Sequence, residues 1–211
     1  MKAPKIDKGF KKDYFTANQA GNILDGINRD TLQGLRDYAI VLLMVTTGAR
    51  AVEITRANLE DLRTAGGDPV LYLQGKGHDE KADYVKLAPE TEEAIRAYLK
   101  ERGTAPGNAP LFACISNRNQ GGRMTTRSIS RLAKGHMKEA GYDSDRLTAH
   151  SLRHTAATLN LLNGGTLEET QQLLRHTSIN TTLIYSHALE RAANNSENRI
   201  SAAIFKTKKE R

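Results

Sequence analysis

The stretch "LTAHSLRHTAATLNLLNGG", Leu147 to Gly165, has the apolar spacing of a buried helix. Leu152, Ala156 and Leu159 stand at i, i+4 and i+7, which places them on one face of a 3.6-residue helix. Asn163 and Gly164 then supply a helix stop. The start of the segment does not suit a plain core helix, because His150, Arg153 and His154 crowd into its first turns. A charged or titratable group beside a core is costly unless something pairs with it. Nothing in the stretch supplies that partner, which points to a molecule outside the chain.

The composition around it favours a polyanion. The 211 residues include 31 Lys and Arg against 24 Asp and Glu, a net charge of +7. Such a balance favours nucleic acid first and an anionic membrane surface second. Much of the excess lies at the two ends, in Lys2 to Lys12 and in "KTKKER" (Lys206 to Arg211), where solvated tails are the plain alternative. Apolar residues make up 38% and charged residues 26%, as in a globular domain rather than a disordered chain. The longest apolar run, Tyr38 to Val45, is too short to cross a bilayer, and no apolar signal segment follows the N-terminal lysines. A cytoplasmic protein without a membrane partner is expected. Cys114 is the only cysteine, so no internal disulfide forms; it reads as a small buried hydrophobe.

Along the chain the pattern is mainly helical. Thr16 with Gln19 makes a capping box before a first helix, with Ala20, Ile23, Leu24 and Ile27 on one face. A longer helix from about Thr31 to Thr46 carries the most apolar run, and Gly48 ends it before a short helix in "ARAVEITRA". Between Leu59 and Leu87, "LEDLR", "PVLYLQ" and "DYVKL" read as short strands of an antiparallel sheet, with Gly75-Lys76-Gly77 at a turn. Helices follow from Pro89 to about Arg102, from about Thr126 to Ala140, and from about Ala149 to Leu162. Thr166 with Glu169 caps another, to about Leu174; "TSINTT" then reads as a turn leading to "LIYSH" and a last helix from about Ala188. The expected fold class is α+β: one mainly α domain carrying a small antiparallel sheet.

Taken singly, the chemistry-bearing residues have plain readings. His150 and His154, four apart, have the spacing of a two-histidine metal site, but Ser151 stands where a metalloprotease needs glutamate and no third ligand is near. Lys76 reads as a solvated turn lysine, and Arg50 as a partner of Glu53 three residues on. Taken in order they form a series: "TTGARAVEI", "GKG", "HSLRHT" and "LLRHTSINTTLIYSH". This series resembles the catalytic domain of the tyrosine recombinases, the phage-integrase family of site-specific DNA recombinases, and the resemblance runs over nearly the whole chain.

The resemblance implies roles. Arg50 in "TGAR" corresponds to the first catalytic arginine and Arg153 in "HSLRH" to the second. His150 matches the histidine of H-x-x-R, His176 in "LLRHTS" a position held by histidine or tryptophan, and Lys76 the lysine of the β-hairpin. Tyr185 in "TTLIYSH" matches the nucleophile, and Glu53 an acidic residue that supports the first arginine. One departure is visible: the family commonly has "LGH" where this chain has Leu174-Arg175-His176, which puts the backbone beside His176 in question. His154 has no counterpart role and is expected to bond to backbone or a neighbour.

The residue types suit the implied reaction. A phosphodiester attacked by a hydroxyl gathers negative charge on its non-bridging oxygens, and planar guanidiniums grip those oxygens through parallel N–H donors. Imidazoles add donors or move the tyrosine proton. A phenol, with a pKa of about 10, leaves more readily than a sugar hydroxyl, so the phosphotyrosine stores the bond for a second strand. Lys76 would protonate the departing 5′-oxygen. No cofactor and no metal are needed. The implied partners are double-stranded DNA and further protomers of the same protein, in a tetrameric synapse.

The expectation is a recombinase that integrates or excises a mobile element through a 3′-phosphotyrosine. A chromosome-dimer-resolving Xer-type recombinase, a type IB topoisomerase and a DNA-binding module without chemistry are the alternatives. Residues 1–211 read as one catalytic domain, with a basic leader over 1–13 and a tail from about 188 that a neighbouring protomer could accept. The family's N-terminal core-binding domain is absent, as in an excised fragment.

Overall fold

A computed structural model of the chain describes residues 13–75, 81–117 and 119–209. Its elements are helices α1 (Ala17–Asp25), α2 (Leu32–Thr47) and α3 (Ala51–Arg56), then strands β1 (Leu62–Ala65), β2 (Asp68–Leu73) and β3 (Asp83–Lys86). Helices α4 (Pro89–Arg102), α5 (Thr126–Glu139), α6 (Ala149–Leu162), α7 (Leu167–Leu174), α8 (Ile179–Ala193) and α9 (Ser196–Lys209) complete the chain. No described helix is long and apolar enough to cross a membrane.

Local chemistry sets the helix ends. Thr16 Oγ1 accepts from the Gln19 amide (3.3 Å) while Gln19 Oε1 accepts from the Thr16 amide (2.9 Å). The same reciprocal pair recurs between Thr166 and Glu169 at the start of α7. Helix α2 ends at Gly48, whose backbone is left-handed (φ 62°, ψ 21°). A side chain is excluded there for a second reason: a Cβ on Gly48 would stand 2.5 Å from the Leu174 side chain.

Helix α2 is the centre of the domain, packed against α4 on one side and α6 on another. Its residues Ala39 to Val45 are all buried. The sheet has the order β1-β2-β3, antiparallel throughout, with Leu71 facing Leu62 on one side and Val85 on the other. Leu71, Leu73 and Val85 carry its core face, and Val70, also buried, points to the other face. Ala157, Leu174 and Tyr185 form a second, smaller apolar cluster, with Leu161 against it.

Three local expectations are corrected. "LEDLR" does not begin as a strand: Leu59–Asp61 is a 3-10 turn, and Asp61 Oδ2 accepts from the Asn58 amide at 2.7 Å. An aspartate that caps backward offers the chain a turn in place of a ladder. "TSINTT" is not a separate turn before a last helix at Ala188, because α8 already starts at Ile179 and α9 follows it. Ser178 Oγ accepts from the Asn180 amide (3.3 Å), and Thr182, though polar, is fully buried. Cys114 is half-buried rather than buried, with Sγ 3.1 Å from Ser116 Oγ.

Candidate active site

Three elements bring the guanidiniums together. The α2–α3 corner at Gly48 places Arg50 at the N-terminus of α3, where Glu53 reaches back to it. Glu53 Oε2 accepts from the Arg50 amide and Oε1 from Arg50 Nη1, both at 2.7 Å. Glu53 is fully buried; burial pushes its pKa up, but Arg175 and Arg50 outweigh that and hold it below the usual carboxylate value. Arg153, on α6, is 1% exposed and is held by main-chain oxygens. Its Nη1 donates to the Gly48 carbonyl (2.6 Å) and its Nη2 to the Leu174 carbonyl. Burial, with Arg50 and Arg175 close by, pulls Arg153 down to about 9, still cationic at neutral pH. A pocket of about 240 Å³ opens here, lined by Arg50, His150 and Arg153 with Ala49, Thr126 and Ser130.

A row of rings flanks these cations. The exposed His150 meets His154 edge-on at 4.7 Å, and His154 lies 5.3 Å from Tyr185. His176 also stacks with Tyr185, at 6.4 Å and nearly parallel. His176 Nδ1 pairs with Thr182 Oγ1 at 2.9 Å, which fixes its ring. Burial first, then the neighbouring cations, lowers both His154 and His176 to about 4, so both are neutral at pH 7. His150 is lowered too, by desolvation, Arg153 and Arg50. Tyr185 is 4% exposed; burial raises its phenol while Arg153 and Arg50 work against that rise. The phenol is therefore held protonated by burial, with the two guanidiniums tempering that rise.

Arg50, Glu53, His150, Arg153, His176 and Tyr185 thus converge from α3, α6, the α7–α8 turn and α8. Lys76 lies outside the described residues; Gly75 before it is held by Arg56, whose Nη1 donates to the Gly75 carbonyl at 2.9 Å. His154 packs between two of the candidate residues, a place its lone position in the sequence did not reveal. His150 and His154 meet edge to face, and among the described residues no group of three His, Cys, Asp or Glu gathers as a ligand set. Arg175 keeps the left-handed backbone that glycine would take there (φ 53°, ψ 48°). Sequence reasoning marked it only as a missing glycine; its side chain in fact reaches Glu53 Oε2 at 2.7 Å.

A helical domain with a three-stranded sheet, its arginines and histidines ranged round a buried tyrosine, has the fold of tyrosine recombinase catalytic domains. The chain belongs to the phage integrase family, which it matches over residues 13–191. It is 35% identical over 174 residues to the protein called tyrosine recombinase XerC of Pelobacter propionicus, covering 82% of this chain and 55% of that one. It is similar to the crystal structure of XerA recombinase (30% identity, TM-score 0.68), covering 91% of this chain and 64% of that one. The XerH site-specific recombinase, solved on its palindromic difH substrate after cleavage, gives 25% identity and a TM-score of 0.71, covering 86% of this chain and 52% of that one. The chain thus spans between half and two thirds of the length of these relatives.

Proposed function

We propose that this chain is the catalytic domain of a site-specific DNA recombinase that cuts and rejoins strands through a 3′-phosphotyrosine. The single observation that carries the reading is a buried Tyr185 whose ring stacks with His176 at 6.4 Å and whose phenol feels the charges of Arg153 and Arg50.

In this reading Arg50 and Arg153 grip the non-bridging oxygens, more strongly as charge builds on them. The Tyr185 oxygen attacks phosphorus and the bond to the 5′-oxygen breaks. The phenol proton passes to a neutral imidazole, His150 or His176, and the 5′-oxygen takes a proton from Lys76. Reversal by a 5′-hydroxyl of another strand breaks the phosphotyrosine and completes the exchange. The energy of the bond is kept throughout, and no nucleotide cofactor enters.

The reading includes DNA and further protomers as partners, in the cytoplasm where the DNA is. Relatives named XerC and XerD favour the chromosome-dimer form of the reaction over mobile-element integration. The test is a nicked duplex that traps the covalent intermediate, made in two sets: chromosomal palindromes and the flanks of the gene itself. A denaturant-resistant adduct on one set, unaffected by EDTA, is expected. Binding to both sets with no adduct on either would leave a DNA-binding module; relaxation of one duplex without exchange between two would make it a topoisomerase.

A further inference from the structure

Arg175 is held where it is at a cost. Among the described residues it is the only non-glycine with a positive φ, a conformation that glycine takes freely and arginine does not. Its side chain is 7% exposed, its Nε has no hydrogen-bond partner among the described residues, and it shares the region with two more cations, Arg50 and Arg153. Two contacts oppose these costs. Nη1 donates to the Leu173 carbonyl at 2.7 Å, which closes the end of α7, and Nη2 donates to Glu53 Oε2 at 2.7 Å.

Glu53 therefore accepts from two directions: from the Arg50 amide and guanidinium on α3, and from Arg175 in the α7–α8 turn. The contact between Arg175 and Glu53 spans 122 positions of sequence. It ties the element that carries Arg50 to the turn that carries His176, directly before the helix of Tyr185. Arg175 Nη2 is committed to the Glu53 carboxylate and Nη1 to the Leu173 carbonyl, so the guanidinium acts within the protein, on another side chain.

We propose that Arg175 is a positioning residue for strand cleavage: through Glu53 it locks the Arg50 guanidinium and the His176 turn into one register. The inference rests on the cleavage reading above. It explains why an arginine occupies a left-handed position that needs only glycine. A cation against Glu53, not the backbone of the turn, is what the residue supplies.

Two variants of the full chain separate these contributions. Arg175→Gly relieves the backbone and removes the charge; Arg175→Lys keeps both the unfavourable φ and the charge. Adduct formation in a single turnover on the nicked duplex is expected to fall about tenfold in Arg175→Gly, the scale of a modest misplacement at a reacting centre. DNA affinity should stay within about twofold, because no phosphate contact is lost. Arg175→Lys should recover most of the rate. An Arg175→Gly protein that cleaves as fast as the unchanged chain, with Arg175→Lys slower, would overturn the inference and leave only a turn. A second measurement needs no DNA: amide hydrogen exchange at His176 should quicken in Arg175→Gly, and unchanged exchange would overturn the tie. An unchanged chain that forms no adduct on any duplex counts against the cleavage reading, and the exchange measurement then decides the tie alone.

Discussion

The two apolar clusters of this molecule hold their candidate residues in different ways. Arg50, Glu53 and Arg153 lie beside the main core, fixed by an ion pair and by the carbonyls of Gly48 and Leu174. Tyr185 belongs to the small cluster with Ala157, Leu174 and Leu161, at the edge of the fold. Helix α6 bridges the two, giving Leu152 to the first and Ala157 to the second. Beyond Tyr185 the chain is more exposed still: on α9, Ile200, Ile204 and Phe205 are 61%, 53% and 59% exposed. Apolar burial scales with area, so the small cluster opens at lower cost than the large one. On that argument the candidate arginines stand beside the cluster that costs more to open, and Tyr185 stands in the one that costs less.

The largest expected effect removes the chemistry and leaves the comparison intact. Tyr185→Phe should abolish covalent adduct while DNA affinity stays nearly unchanged, since only a hydroxyl is lost. Adduct from this variant on the nicked duplex would assign the nucleophile to another tyrosine.

Next come the two arginines, which sharpen the contrast between buried and accessible grip. Arg50→Lys and Arg153→Lys should each lose about 10²-fold or more in cleavage rate, roughly 3 kcal/mol, because a point charge cannot keep two parallel donors on one phosphate. They should differ in stability. Arg153→Lys leaves carbonyls of Gly48 and Leu174 short of donors inside the fold and should melt earlier. Arg50, 31% exposed at its side chain, should melt close to the unchanged chain as Lys. Equal melting of the two variants would show that burial does not distinguish these sites.

A smaller effect follows from the imidazoles that flank Tyr185. His154 and His176 are lowered from 6.5 to about 4, so between those values the unfolded chain takes up protons that the folded chain refuses. Stability from this source is complete above the unfolded value and is lost as pH falls toward 4. Melting at about pH 5 should therefore occur several degrees below melting at about pH 7, and His176→Asn should reduce that difference. Hydrogen exchange should locate the acid loss in α7 and α8 before α2. Uniform loss over both clusters would break the comparison.

The smallest effect concerns the far end. Deleting Ser201 to Arg211 removes much of the exposed apolar face of α9. One-site DNA binding in a gel-shift series should be unchanged, and the complex on paired sites should weaken a few-fold, as expected if a neighbouring protomer accepts the tail. Equal assembly on paired sites by both proteins would make α9 a solvated end.

Much of this architecture was legible in the sequence where the signal is local. The apolar run in α2, the Thr16 and Thr166 capping boxes, the stop at Gly48 and the limits of α4 and α6 follow from residue type and spacing alone. The reading faltered where a polar residue finds its partner far away. Thr182 looks like part of a turn, but buried against His176 it belongs inside α8. "LEDLR" alternates like a strand until Asp61 turns back on Asn58.

The candidate residues divide the same way. Arg50, Glu53, Lys76, His150, Arg153, His176 and Tyr185 are legible only through the resemblance of their motifs, in order, to the phage integrase family; taken singly, Arg50 and Lys76 have plain structural readings. Their sequence could not say that His154 would lie against Tyr185, or that Arg175 would share Glu53 with Arg50. Those facts depend on α3, α6 and α7 arriving at one place, and the contact between Arg175 and Glu53 joins residues 122 positions apart. Residue type and spacing determine which helices form and which chemistry-bearing side chains the chain carries. Burial decides the rest, because only the packed chain fixes which cations surround each imidazole, which carboxylate is shared, and whether the phenol is gripped or free.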